Sequence, residues 1–221
     1  MNNTDTHLYY MFHKPAGCIT ARTDPRHKTV MDFFPKAEKE MLHPVGRLDM
    51  DTEGLLLLTN DGVFTNHLMS PENHVEKTYE FIALGDLTTD EIDELQEGIY
   101  FTGDSKITRP CKITVNRNST LKETLPLLPI EPTKKTRNNR PEHPVIYGTI
   151  TITEGRKHHV KRLLKHAHCH VIYLKRISIG GLTLDETLKP GKYRILTEQE
   201  KLCTIGFRNQ FQQLNTVTET I

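Results

Sequence analysis

The sequence predicts an α+β fold. Strand-like and helix-like segments follow one another without the steady strand–helix alternation of a parallel α/β sheet. One short run, Leu55–Leu58, is wholly apolar and reads as a buried strand. With 221 residues and 36% hydrophobic content, the chain can bury a sizeable core, as one domain or as two small lobes.

The elements follow in order. Leu8–Phe12 reads as a first strand, closed by the turn His13-Lys14-Pro15-Ala16-Gly17. Thr29–Phe34 suits a short helix before Pro35. The buried strand Leu55–Leu58 precedes a short helix over Gly62–Met69, stopped by Ser70-Pro71. Lys77–Leu84 is β-branched and aromatic, as in a strand. Thr88–Glu97 carries a capping-box pair, Thr88 with Glu91, and Gly98 is placed to end the helix. Between Asn116 and Pro144 the pattern is lost among prolines and basic residues, which predicts a loop joining lobes of about 8–115 and 145–197. Val145–Thr153 alternates like a strand. Arg156–His166 is a basic helix with Val160, Leu163 and Leu164 on its apolar side. Val171–Leu174 and Arg176–Ile179 read as two strands before the Gly180-Gly181 turn. Residues 198–221 read as a C-terminal helix or a polar, frayed tail.

No apolar stretch approaches the ~20 residues that span a bilayer, and the first residues lack a basic segment followed by an apolar one, so no signal peptide is expected. The four cysteines form no CxxC pair and read as reduced thiols, which predicts a cytoplasmic protein. The net charge is only +1, but Thr133–Arg176 holds eleven Lys and Arg against two acids, with six histidines. Such a segment suits a polyanion such as nucleic acid; the alternative is a solvated surface balanced by the acidic remainder.

Three clusters carry candidate chemistry. In Gly46–Gly62, GRLDMDTEGLLLLTNDG, the acids Asp49, Asp51 and Glu53 alternate and on an extended backbone would share one face. They could hold Mg²⁺ or resemble an aspartate-nucleophile phosphatase loop, although Glu53 stands at that motif's Thr or Val position. Glu154-Gly155-Arg156-Lys157-His158-His159-Val160-Lys161-Arg162 would bring backbone N–H groups and cations together as a phosphate clamp. His166, His168 and His170 alternate, as zinc ligands can, but no second ligand cluster accompanies them.

Together these segments resemble the RsuA-type branch of the pseudouridine synthases. His13-Lys14-Pro15-Ala16-Gly17 is similar to the family's K-P-x-G. Gly46-Arg47-Leu48-Asp49, with Thr52-Glu53-Gly54 and the apolar run to Gly62, is similar to its catalytic motif. Lys77-Thr78-Tyr79 is similar to K-x-Y, the Glu154–Arg162 segment to E-G-x-x-x-Q-V-R-R, and Leu174-Lys175-Arg176 with Ile179-Gly180 to L-x-R-x-x-I-G. The resemblance covers about residues 8–197, in the family's order. It implies the pseudouridine synthase catalytic fold, a mixed and mostly antiparallel sheet flanked by helices, with two lobes around an RNA-binding cleft. The catalytic module would be residues 1–197.

The resemblance also implies an isomerase that converts uridine to pseudouridine in RNA, most often ribosomal RNA, with no cofactor and no metal. Asp49 would be the nucleophile, Arg176 its cationic partner, and Tyr79 the residue against the flipped base. Without the motifs, Tyr79 reads as a core aromatic and Arg176 as a surface arginine. RNA contacts would come from Arg47, Lys14, Lys77, Arg156, Lys157, His159, Lys161 and Arg162. A monomer is expected. The chain departs from the pattern at His159, usually glutamine, and at His168, usually glycine, and it starts almost at the first catalytic strand, where this branch often carries a small RNA-binding module. An RNA-binding protein without catalysis is the alternative reading, and a metal-dependent phosphatase a third.

Overall fold

The computed structural model describes residues 7–205; the stretch expected as a frayed tail beyond Ile205 lies outside the described residues. Strand β1 (Tyr9–Lys14) leads through a 3-10 turn (Val30–Phe33) and α1 (Lys36–Met41) to β2 (His43–Val45) and β3 (Glu53–Thr59). Then come α2 (Gly62–Met69), β4 (Lys77–Leu84), α3 (Thr89–Glu97), β5 (Lys112–Thr120), α4 (Leu121–Thr124), α5 (Lys134–Arg137) and β6 (Pro144–Ile152). The described chain ends with α6 (His159–His166), β7 (His170–Ile179), β8 (Leu182–Thr183), β9 (Tyr193–Ile195) and α7 (Glu198–Ile205). None of these helices is long and apolar enough to cross a membrane.

The strands form one mixed sheet in the order β5-β6-β4-β7-β3-β1-β9, with β2 added to β3 and β8 to β7. Its pairings are antiparallel except β3 with β7, which run parallel and meet only at Glu53↔Lys175 and Gly54↔Arg176. The apolar run in β3 follows from burial on both sheet faces. Leu56 and Leu58 join a core with Phe12 of β1 and with Val160, Leu163 and Leu164 of α6. Leu55 and Leu57 join a second core with Met11 of β1 and with Phe64 and Leu68 of α2. The Thr88–Glu91 capping box forms at the start of α3, and Gly98 takes a positive φ at its end.

Several boundaries differ from the sequence reading. The stretches 8–115 and 145–197 do not separate along the sheet: β6 lies between β5 and β4, and β7 between β4 and β3. The segment read as a connecting loop from residue 116 begins inside β5, an edge strand that is largely exposed. An exposed edge has no apolar alternation to betray it, and NRNST reads as loop. The two strands expected around Lys175 are one, β7, whose register against β4 shifts without breaking the strand. Helix α6 starts at His159, not Arg156, because His158 takes a left-handed φ of 53°. The helix expected from residue 198 does form, as α7, which packs on α2 and β8.

Candidate active site

Tyr79 and Arg176 face each other across β4 and β7 as direct register partners. Arg176 is only 2% exposed, so the surface-arginine reading is wrong. Its Nε donates to the Leu55 carbonyl at 2.8 Å and its Nη1 to the Tyr79 hydroxyl at 3.5 Å. Its Nη2 is buried without a partner, an unmet donor that a buried guanidinium does not normally retain. Gly54 makes this placement possible. It sits at φ +105°, and a Cβ there would lie 2.2 Å from the Arg176 carbonyl oxygen. Only glycine lets β3 approach the β7 backbone so closely.

Asp49 sits in the loop between β2 and β3, where Thr52 N–H closes a turn onto the Asp49 carbonyl at 3.1 Å. The turn overturns the expectation that Asp49, Asp51 and Glu53 share a face. Asp51 is exposed and, with Asp49, turns toward Lys161, whereas Glu53 is buried and accepts a hydrogen bond from Tyr173 Oη at 3.0 Å. Burial and the Glu53 charge push the Tyr173 phenol up. The Asp49 carboxylate lies 3.1 Å from Lys161 Nζ and 3.7 Å from His158 Nε2. Lys161 also pairs with Asp51. Thus the basic side chains at Asp49 come from the start of α6. Sequence reasoning assigned Lys161 to RNA alone and missed His158, which only the left-handed turn before α6 brings here.

The turn after β1 clamps the Asp49 loop. Gly17 N–H donates to the Met50 carbonyl at 2.7 Å, and Thr20 Oγ1 donates to the Leu48 carbonyl at 2.8 Å. Lys14 is fully buried, its ammonium donating to the carbonyls of Pro15, Met50 and Thr52 at 3.0, 3.4 and 2.9 Å. Burial lowers its pKa, while Asp51, Glu53 and Asp49 act in the opposite sense. Lys14 is therefore a loop clamp and not an RNA contact, because its three donors point inward.

Other expected contacts are also engaged. Arg156 binds Glu154 and Asp104 at 3.2 Å each and the carbonyl of Lys106 at 2.8 Å. Arg162 reaches Asp104 at 3.2 Å and lies 3.9 Å from the Phe101 ring centroid. His159 is buried edge-on against Phe101, and burial drives its pKa down to about 4. These three residues fasten α6 to the 101–107 loop; they are not free cations. Lys77 is buried with its ammonium on the Val75 carbonyl at 2.9 Å, and burial, then Arg176, lowers its pKa to about 8.

A cavity of about 620 Å³ brings these groups together: Asp49, Tyr79 and Arg176 line it with Arg47, Lys157 and Lys161 and with the engaged Lys77, Arg156 and His159, whereas Lys14 and Arg162 do not. Leu48, Ile152, Val160 and Leu174 supply apolar wall, enough for an aromatic base beside charged groups. Among the described residues no group of three or more His, Cys, Asp or Glu is placed to hold a metal ion. His166 lies 3.0 Å from Glu94, while His168 and His170 face a separate hollow.

Residues 8–166 match the family described as RNA pseudouridylate synthase. The chain is 40% identical over 194 residues to the uncharacterized RNA pseudouridine synthase YtzG of Bacillus subtilis, covering 87% of this chain and 71% of that protein. It is 35% identical over 192 residues to ribosomal small subunit pseudouridine synthase A of Escherichia coli, with the same 87% and 71% coverage. Among solved structures, a crystal structure of pseudouridylate synthase superposes with a TM-score of 0.74 at 31% identity, covering 92% of this chain and 76% of that one. The archaeal box H/ACA Nop10–Cbf5 complex shares the fold at a TM-score of 0.51 and 16% identity, covering 83% of this chain and 51% of that one.

Proposed function

The chain belongs to the RsuA-type branch of the RNA pseudouridine synthases, isomerases that convert uridine to pseudouridine in RNA, and on that premise we propose that it acts on one uridine of ribosomal RNA with Asp49 as nucleophile, Tyr79 against the base and Arg176 as the buried cation. The observation that carries this reading is that these three residues, far apart in sequence, line one cavity. The ribosomal substrate is supported by the similarity to ribosomal small subunit pseudouridine synthase A.

The reaction breaks the bond between the ribose and N1 of uracil and remakes it to C5. The C5 proton is lost to solvent and N1 gains one, so the reaction is redox-neutral and no fragment of the nucleoside is released. The target base must leave its stack to reach the cavity. There Asp49 supplies the carboxylate that attacks, or that stabilises charge as the glycosidic bond breaks. Lys161 and His158 hold the carboxylate in position before RNA arrives. The Tyr79 ring offers a stacking face and its hydroxyl a proton-handling group. Arg176 lines the cavity and its buried Nη2 has no protein partner, which leaves positive charge available to developing negative charge. Arg47 and Lys157, at the cavity, contact the RNA backbone. Residues 1–197 act as one catalytic module, working as a monomer in the cytoplasm.

The test is release of tritium from C5 of uridine in RNA taken from a strain lacking this gene. Wild type releases label, and Asp49→Asn loses release by several orders of magnitude while still binding RNA. A wild type inactive on all such RNA would sink the proposal.

A further inference from the structure

A second hollow, of about 340 Å³, lies away from the catalytic cavity. Lys135, Asn139, His143, Lys165, His168 and His170 line it, and no carboxylate does among the described residues. Lys135 and Lys165 are exposed and take part in no ion pair among the described residues. The hollow is bounded on the α3 side by acids. Glu94 pairs with His166, and Glu91, whose carboxyl is held low by the Thr88 hydrogen bonds and least by His168, lies on the same side.

The two sites occupy opposite ends of one strand pair. Arg176 faces Tyr79 at the catalytic end, and His170 faces Leu84 at the other, about 20 Å away for six residues of strand. Helix α6 bridges the interval. His158 and Lys161 reach the catalytic cavity, and Lys165 reaches the hollow. Lys161 and Lys165 are four residues apart on the same helix face, a rise of about 6 Å. Lys135 comes from α5, in the segment that the sequence leaves without regular pattern. After burial, the charges of Lys135, Lys161 and Lys165 are what lower the His170 pKa, so these lysines share one positive field that begins at Asp49 and ends in the hollow.

We propose that this track, from Lys165, one turn of α6 beyond Lys161, to the Lys135–His170 hollow, is a phosphate-binding path that holds the RNA strand flanking the target uridine. The inference rests on the function proposed above. A row of cations leading away from a cavity that can take one base is what a single strand with one extruded base requires. The path supplies affinity and register remote from the reacting atoms, and it gives the 134–143 segment a function.

The experiment measures binding of a fluorescein-labelled dodecameric oligouridylate by anisotropy across a salt series. Wild type is compared with Lys135→Gln combined with Lys165→Gln. The control is Lys36→Gln with Lys189→Gln, which removes equal charge from exposed positions lining neither site. Thermal melting checks that each variant is folded. The expected result is a log–log salt slope reduced by roughly 1.4 in the first variant, for two contacts at about 0.7 each, and a wild-type slope in the control. An unchanged slope in the first variant, with wild type still releasing tritium from its RNA substrate, overturns the track but not the function. The same holds if the hollow takes inorganic phosphate while the RNA slope stays unchanged, or if both variants lose slope equally. A wild type that neither binds nor isomerises RNA overturns both.

Discussion

Replacing Gly54 with alanine tests whether the short β3–β7 junction is what seats Arg176. The new Cβ would lie 2.2 Å from the Arg176 carbonyl oxygen and 2.7 Å from its nitrogen, where ordinary contact begins at 3.4 Å. Both are backbone atoms, so no side chain can swing aside, and the strands must part by about 1 Å. The positive φ adds strain of about 1–3 kcal/mol for a residue with a Cβ. With the overlap, the loss of stability is about 3–5 kcal/mol, near the top of the range for single substitutions. Because β3 and β7 share only two residue pairs, the displacement falls on Arg176 itself, whose Nε is tied to the Leu55 carbonyl. Urea unfolding and tritium release measured together check this. Gly54→Ala should lower the urea midpoint, and the folded fraction should show a reduced kcat with RNA affinity kept. Gly62→Ala is the control. Nothing lies within 4 Å of its Cβ and it opens α2, so it should be neutral or stabilise by up to about 1 kcal/mol. Equal stability and kcat in Gly54→Ala and wild type would refute the reasoning.

Two further predictions concern residues whose roles the structure reassigns. Lys14→Met leaves the Thr52 carbonyl without its ammonium donor, while Met50 keeps the Gly17 N–H and Pro15 the weak Cys18 thiol, so it should cost about 1–3 kcal/mol in urea unfolding and lower kcat by loosening the Asp49 loop. The RNA salt slope should not change, and a fall of about 0.7 with normal stability would instead mark Lys14 as a phosphate contact. His159 has a folded pKa of about 4, below its ordinary 6.5. Its contribution to stability is therefore complete above pH 6.5 and is lost as pH falls toward 4, by at most about 3 kcal/mol. Subtracting the pH–stability curve of His159→Phe from that of wild type should isolate this loss, and parallel curves would contradict the burial of a neutral imidazole.

Much of the fold was legible because it rests on local pattern. The apolar run of β3 and the β-branched run of β4 announce buried strands, and Thr88, Glu91 and Gly98 mark the ends of α3. β5 and β9 escaped notice because edge strands need no apolar alternation, and α6 was drawn too long because nothing in the sequence requires His158 to turn left-handed. Lys14 and Arg162 read as RNA contacts because a basic residue looks the same in sequence whether its charge faces solvent or a buried carbonyl.

The sequence by itself determined the family and the reaction and singled out Asp49, Tyr79 and Arg176 as the residues proposed to carry it, because ordered motifs record which residue types the chemistry requires. Only the tertiary structure decided which charges are free and which are spent within the molecule. It assigns Lys161 and His158 to Asp49, Lys14 to the loop, and Arg156, His159 and Arg162 to the 101–107 segment. The reason is geometric. These partners come from elements distant in sequence that meet only through strand pairing and the packing of α6, and charge compensation depends on separations in space that spacing along the chain does not encode.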